Sequence, residues 1–438
     1  MHWAQVPLRC WCWLIVVLAT LSSCATAGLH PHEPRAATPA KTKVAIYAGI
    51  GPSIHVYGLD TQTGELDERQ TVADLQGVVQ YVAVHPSRKF LYVSCSEMPT
   101  PADRPPESRI YAFAIDPATG ALARLGDPYE PPLSRAVHIA VDNTGRYLLM
   151  AHNTTESVSV LRLRPDGGLG ESIAQPASPQ RLGFLVHQVR IDPSNKWVLV
   201  PVRGDDEKPQ KGESGAKGEP EKFGHLVVFE FNEGVLTKSR TIDYPSRVGP
   251  RHLDFHPSKP LIYVSMERGN RILTYKNDNG VLTELFDTTT LEHPGLQFPD
   301  QRAGPIRVHP SGTWVYVANR NTAVCPPSVG CAGRADSLEN DVAVFSIDPQ
   351  TGAPKLIQNE AAHGFEPRTM TIDPSLHFLI VANQKEVSFR EPEHPDRTVK
   401  VGPNFSVFRI GDDGKLTYVR SYDVTAGEPF WVGAVALP

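Results

Sequence analysis

Short apolar runs, separated by polar turns, recur along the chain from Val44 to its end. Six of them are Phe90-Leu91-Tyr92-Val93, Tyr147-Leu148-Leu149-Met150, Trp197-Val198-Leu199-Val200, Leu261-Ile262-Tyr263-Val264, Trp314-Val315-Tyr316-Val317 and Phe378-Leu379-Ile380-Val381. Runs this short, rich in β-branched and aromatic residues and bounded by Pro, Asp and Gly, predict strands rather than helices. A turn phrase precedes each run: Val84-His85-Pro86-Ser87, Val141-Asp142-Asn143, Ile191-Asp192-Pro193-Ser194, Phe255-His256-Pro257-Ser258, Val308-His309-Pro310-Ser311 and Ile372-Asp373-Pro374-Ser375. An alternating run and a second turn follow, as in Ile110 to Gly120; Asp60 to Gly64 and Asp348 to Gly352 are close copies of that turn.

The His or Asp anchors stand at 85, 142, 192, 256, 309 and 373, a mean step of (373 − 85)/5, about 58 residues. Each repeat holds four strand segments, a to d. Six anchors give six repeats, and a seventh is split between Val44 to Leu66 at one end and Phe430 to Val435 at the other. Radial repetition of four-stranded sheets predicts an all-β fold: a seven-bladed β-propeller of antiparallel blades, closed by the N- and C-terminal strands in one blade. A solenoid of the same period is the alternative, but it leaves open edges and gives the two half-blades no purpose.

Antiparallel order places the a–b and c–d turns on one face and the b–c and d–a connections on the other. The long insertions fall in b–c, at Glu97 to Arg109, Arg203 to Gly224, Asn321 to Asn340 and Gln384 to Pro403, which marks that face as the working one. Gly204 to Lys222, dense in Asp, Glu, Lys and Gly, reads as a solvated loop. The residues entering each strand a, the innermost strand of a blade, four or five before the anchor, are Gln80-Tyr81, Val137-His138, His187-Gln188, Arg251-His252, Gly304-Pro305 and Arg368-Thr369; Arg307 lies two before its anchor and so shares a strand face with the positions four before. Three His and three Arg therefore converge on the channel mouth, and Glu267 is expected at the same rim. Such a ring binds an anion. A His or Glu there serves as general acid or base, and an Arg steadies an oxyanion. With no G-x-S-x-G elbow in the chain, water is the expected nucleophile. His85, His256 and His309, in the turns of the opposite face, are expected to be structural.

Composition narrows the rest. The net charge is −5, with no basic excess, so nucleic acid is not an expected partner. Neither a cofactor nor a metal is called for at a cationic mouth with one evident carboxylate. Pro at 40 residues argues for turns over long helices. The N-terminal segment has one charge, Arg9, before an apolar stretch from Trp11 to Leu21, the length of a secretory core and too short for a membrane span. Leu21-Ser22-Ser23-Cys24 reads as a lipobox, with residues 1–23 a signal peptide, Cys24 lipidated, 24–42 a Pro/Ala-rich tether and 43–438 the propeller. Ala25-Thr26-Ala27 offers ordinary secretion instead. The expected location is the bacterial envelope, facing the periplasm, with membrane contact only through the lipid and the protein a monomer. Cys95 reads as a small buried hydrophobe. Cys325 and Cys331, flanking a five-residue loop in an exported chain, are expected to form a disulfide.

Gly249-Pro250-Arg251-His252-Leu253-Asp254-Phe255-His256-Pro257, Gly304-Pro305-Ile306-Arg307-Val308, Glu366-Pro367-Arg368 with Ala382-Asn383-Gln384, Val137-His138, Ser157-Val158-Ser159-Val160 and His187-Gln188-Val189 together resemble the lactonase-type seven-bladed propellers, which include cycloisomerase-2-type 6-phosphogluconolactonases and fungal carboxy-muconate cyclases. The resemblance runs from about Val44 to Val435. It implies hydrolysis of a six-membered sugar lactone, with catalytic roles for His187, Arg251, Glu267 and Arg307 and ligand contacts from His138, Gln188, His252, Arg368 and Gln384. The expected mechanism has His187 or Glu267 as base, with His187 favoured and Glu267 then orienting Arg251, and Arg251 or Arg307 at the oxyanion. Two departures stand out: His152-Asn153-Thr154-Thr155 replaces an Asn-Tyr-Gly-Gly-like run, and Val202-Arg203 stands where an Asp is common. A muconate-type cycloisomerase and a non-catalytic propeller binding an anionic ligand or a protein are the alternative functions.

Overall fold

A computed structural model describes residues 43–437 except 100–102, 105, 134, 177–180, 205–222, 246–247, 296–299, 322–338 and 391–395. Cys24, Cys325 and Cys331, and most of the third b–c insertion, therefore lie outside the described residues.

Seven four-stranded antiparallel sheets follow one another along the chain. Blade 1 runs Val78–Val84, Phe90–Ser96, Ser108–Ile115 and Leu122–Arg124; blade 4 runs Pro250–Phe255, Leu261–Met266, Arg271–Asp278 and Val281–Thr289. In blade 7 the innermost strand is C-terminal, Pro429–Ala436, and pairs antiparallel with Val44–Ile50, followed outward by Ser53–Leu59 and Leu66–Val72. The two chain ends thus close the ring, as the split repeat predicts. The fourth insertion, expected as loop, contains a two-stranded sheet, Val387–Arg390 with Thr398–Val401.

The core lies between blades. Strand b of every blade is apolar on both faces, because each sheet packs against two neighbours. Seven buried clusters result, one per junction. Tyr47 and Trp431 of blade 7, for example, pack with Val79, Val93 and Phe113 of blade 1. Polar pins cross the same junctions. The Tyr47 hydroxyl donates to the Gly120 carbonyl at 2.8 Å, and Tyr263 donates to that of Gly352 at 2.9 Å. Both acceptors sit in c–d turns at φ of 80° and 81°, a conformation that glycine adopts without strain.

The anchors hold the a–b turns. The Asp192 carboxylate accepts the amides of Ser194, Lys196 and Trp197. The His256 ring takes the amides of Ser258 and Lys259 on Nδ1, while Nε2 bonds the Gly312 carbonyl of the next blade at 3.0 Å. His85 bridges to Gly145 in the same way. These His are structural, as expected. Cys95 is fully buried, and burial pushes its thiol far above the ordinary range.

Candidate active site at the channel mouth

In six of the seven blades the innermost strand breaks its register where it enters the mouth. In blade 4, Pro250 pairs with Met266 and His252 with Ser265, so Arg251 is the extra residue. Gln80, Val137 and Arg368 occupy the same place in blades 1, 2 and 6, and Phe430 in blade 7. A regular strand sends successive side chains to opposite faces. A bulge re-aims one of them, so two neighbours point the same way. Accordingly Gln80 and Tyr81, Arg251 and His252, and Arg368 and Thr369 all line one cavity of about 220 Å³.

Counted from the anchors, the fifth residue upstream is Gln80, Val137, His187, Arg251, Gly304 or Arg368, and all but Gly304 line this cavity. The eleventh residue downstream, at the exit of strand b, is Ser96, Asn153, Arg203, Glu267, Arg320 or Gln384; Asn153, Arg203, Glu267 and Arg320 line it too. Arg135, Leu185 and Arg302, seven residues upstream of their anchors, complete the wall.

The floor is an ionic network. Glu267, 1% exposed, accepts Arg320 Nη2 on Oε1 at 2.8 Å and Arg203 Nη1 on the same oxygen at 3.4 Å. Its Oε2 forms an ion pair with Arg251 Nε at 3.3 Å. Burial acts to raise the Glu267 carboxyl, but the guanidiniums of Arg320, Arg251 and Arg203 more than reverse this and hold it far below the ordinary range. Glu267 is therefore a fixed anion, not a proton donor. Arg320 also donates to Glu366, whose carboxylate lies 4.0 Å from Arg368 Nη1. The Arg368 guanidinium covers the Phe430 ring, 4.6 Å from its centroid.

His187 is half-buried in the cavity wall, its backbone amide bonded to the Pro201 carbonyl and its Nδ1 buried without a protein partner. Burial first, then the charges of Arg251, Arg368 and Arg203, hold its pKa well below the ordinary histidine value, with Glu267 opposing. It is neutral at pH 7 and able to accept a proton. His252 lies 5.0 Å away, ring to ring, and its Nδ1 accepts Arg251 Nη1 at 2.8 Å, so the proton of this neutral ring sits on Nε2. Six arginines line the cavity against Glu267 alone, or against two carboxylates once Glu366 is counted. With the histidines neutral, the mouth carries a surplus of positive charge suited to an anionic ligand or an oxyanion.

Of the expected catalytic set, His187, Arg251 and Glu267 come together here. Arg307 does not line the cavity. It lies a layer deeper, level with Arg190 and Asp254, which pair at 2.7 Å; Tyr81 and Asp254 raise its pKa against the opposing effect of burial. Of the expected ligand contacts, His252 and Arg368 line the cavity. His138 is buried and does not line it; its ring lies tilted at 33° to that of Tyr81, 3.8 Å between centroids. Gln188 accepts the Leu253 amide at 2.7 Å, a packing role. Gln384 donates to Glu428 at 2.9 Å outside the cavity. Sequence reasoning missed Arg135, Arg203, Arg302, Arg320 and Glu366 as members of the site. The signal was available, since Arg203 and Arg320 hold the same place after their anchors as Glu267.

A family model described as lactonase, 7-bladed beta-propeller, matches residues 41–208 and 222–390. A 6-phosphogluconolactonase of Pectobacterium carotovorum is 28% identical over 387 residues, covering 88% of this chain and 96% of its own. One from Cronobacter sakazakii is 27% identical, covering 86% and 94%. Among solved structures, a periplasmic gluconolactonase of Pseudomonas aeruginosa superposes with a TM-score of 0.69 at 21% identity, covering 91% of this chain and all of its own. A protein from Lactobacillus plantarum gives 0.67 at 21% identity, covering 90% and 99%. These two likenesses bear on the fold.

Proposed function

The chain belongs to the seven-bladed β-propeller lactonase family, and from that premise we propose that it opens a sugar lactone by hydrolysis at the channel mouth. The observation that carries the reading is a neutral, partly open His187 beside the buried Arg251–Glu267 pair, within a surplus of guanidinium charge. Relatives that cover nearly all of this chain are named 6-phosphogluconolactonases, which supports the same chemistry.

In this mechanism the lactone carbonyl faces Arg251. His187 takes a proton from water as the oxygen attacks, and the guanidinium stabilises the oxyanion. The acyl–oxygen bond of the ring then breaks, and the ring oxygen receives the proton from His187. The product leaves as a hydroxy acid, which ionises and releases one proton to solvent. Glu267 holds Arg251 in place and stays ionised throughout. Arg307, a layer below, is assigned no contact with the carbonyl.

The charge surplus supports a substrate with a second anionic group, such as a phosphate. The N-terminal segment supports export, with lipidation at Cys24 and action in the envelope; mass spectrometry of the mature N-terminus tests this, and an unmodified Gly28 terminus would mean ordinary secretion. The activity is tested by acid release from glucono-δ-lactone and from its 6-phosphate by the purified chain. Catalysis above the spontaneous rate on either lactone supports the reading. Saturable binding of the product acid without turnover would instead make the chain an anion-binding propeller.

A further inference from the structure

Arg251, Glu267, Arg320, Glu366 and Arg368 form an alternating ladder of charge across blades 4, 5 and 6. The contacts are 3.3 Å from Arg251 to Glu267, 2.8 Å from Glu267 to Arg320, a direct hydrogen bond from Arg320 to Glu366, and 4.0 Å from Glu366 to Arg368. Arg320 is the middle rung and is 2% exposed. Its planar fork sends Nη2 to one carboxylate and Nη1 to the other. The ends of the ladder are the two guanidiniums of the bulged fifth positions, and both line the cavity.

We infer that Arg320 is a positioning residue: it holds Glu267 and Glu366 at a fixed separation, and through them fixes Arg251 and Arg368 relative to each other and to His187. The inference rests on the lactonase reading for its kinetic consequences, not for its geometry. Three features support it. Glu366 is held at φ 55°, an uncommon backbone conformation for a non-glycine residue, with its amide bonded to Asn340 Oδ1 at 3.0 Å. Its carboxylate is thereby presented to Arg320 from a constrained backbone. A lysine in place of Arg320 would keep the charge, but a point-charge ammonium lacks the planar fork that bridges two carboxylates in a set geometry. Finally, Arg251, Glu267 and Arg320 are only 1–2% exposed, so a lost rung there cannot be replaced by solvent at low cost.

The ladder acts on geometry, so its removal should affect the transition state more than ground-state binding. Arg320→Lys is expected to lower kcat on the order of a hundredfold, as for a small misplacement of catalytic groups, with KM changed little. Glu366→Gln should lower kcat in the same direction. An independent readout is the titration of His187 followed by imidazole NMR in the full chain. Arg320→Met releases Glu267 from its fork and lets the Arg251–Glu267 pair move, and because Arg251 and Glu267 are the two leading charges acting on His187, its titration should shift from the wild-type position. Wild-type kcat in Arg320→Lys, or a loss carried wholly in KM, would overturn the positioning role. So would a His187 pKa unmoved by Arg320→Met in a folded protein. A wild type that hydrolyses no lactone would defeat the lactonase reading instead, and the NMR titration would still test the ladder.

Discussion

Arg251 Nε lies 3.3 Å from Oε2 of Glu267, and both side chains are 1% exposed. A carboxylate and a guanidinium this deeply buried are stable together and costly apart, since breaking one such pair costs about 3–5 kcal/mol. Arg251→Ala should therefore lower turnover about 10²–10³-fold through loss of the oxyanion donor. It should also lower the melting temperature. Arg251→Lys, which keeps the charge but loses the fork, should recover more stability than activity. Steady-state kinetics beside a thermal melt separates the two effects.

The pH dependence follows from His187. It must be neutral to accept a proton, and burial with its cationic neighbours lowers its pKa. Activity should therefore hold below the ordinary histidine value of about 6.5 and fall only at more acid pH. Glu267 is ionised throughout that range and adds no acid limb of its own. A pH–rate profile on a lactone corrected for spontaneous hydrolysis checks this; an acid limb centred above about 6.5 would contradict it.

His256 makes the opposite case. Its ring binds two turn amides and the carbonyl of Gly312 on the far face. His256→Ala should cost about 1–3 kcal/mol through the unsatisfied buried groups it leaves. Turnover at a temperature where the variant is folded should match the wild type.

Asp341 supplies a stability test away from the site. Burial, followed by Glu339, raises its carboxyl to about 8, although Asn319 and Asn359 donate to it. Its folded pKa lies above the unfolded value of about 3.9. The stability this group contributes is complete below the unfolded value and is lost as pH rises through about 8. In blade 6 the same place holds Asn404, which accepts Asn383 at 2.9 Å. Asp341→Asn should flatten that part of the melting temperature's pH dependence, with its largest gain at alkaline pH.

The propeller, its closure and the working face were legible because turn chemistry and apolar runs repeat with the blade. The bulges were not, since a single extra residue in one strand leaves no mark in composition or period. Without them, the alternation that set Arg307 on the strand face of the positions four before each anchor gave no depth. Arg307 stands two residues nearer its anchor than His252 stands to His256, about 7 Å deeper along the strand. Arg203 and Arg320 were passed over because only a carboxylate was sought at the exit of strand b. Gln188 faces its neighbour's backbone, a distinction that depends on register and that no spacing reveals.

The most direct test of the account is acid release from glucono-δ-lactone and its 6-phosphate by the wild type and by His187→Ala, under conditions where both are folded. The account predicts catalysis by the wild type on at least one lactone and a loss of about 10²–10⁴-fold in the variant. Equal rates for the two proteins would contradict the assignment of His187 and, with it, the mouth of the channel as the seat of the chemistry.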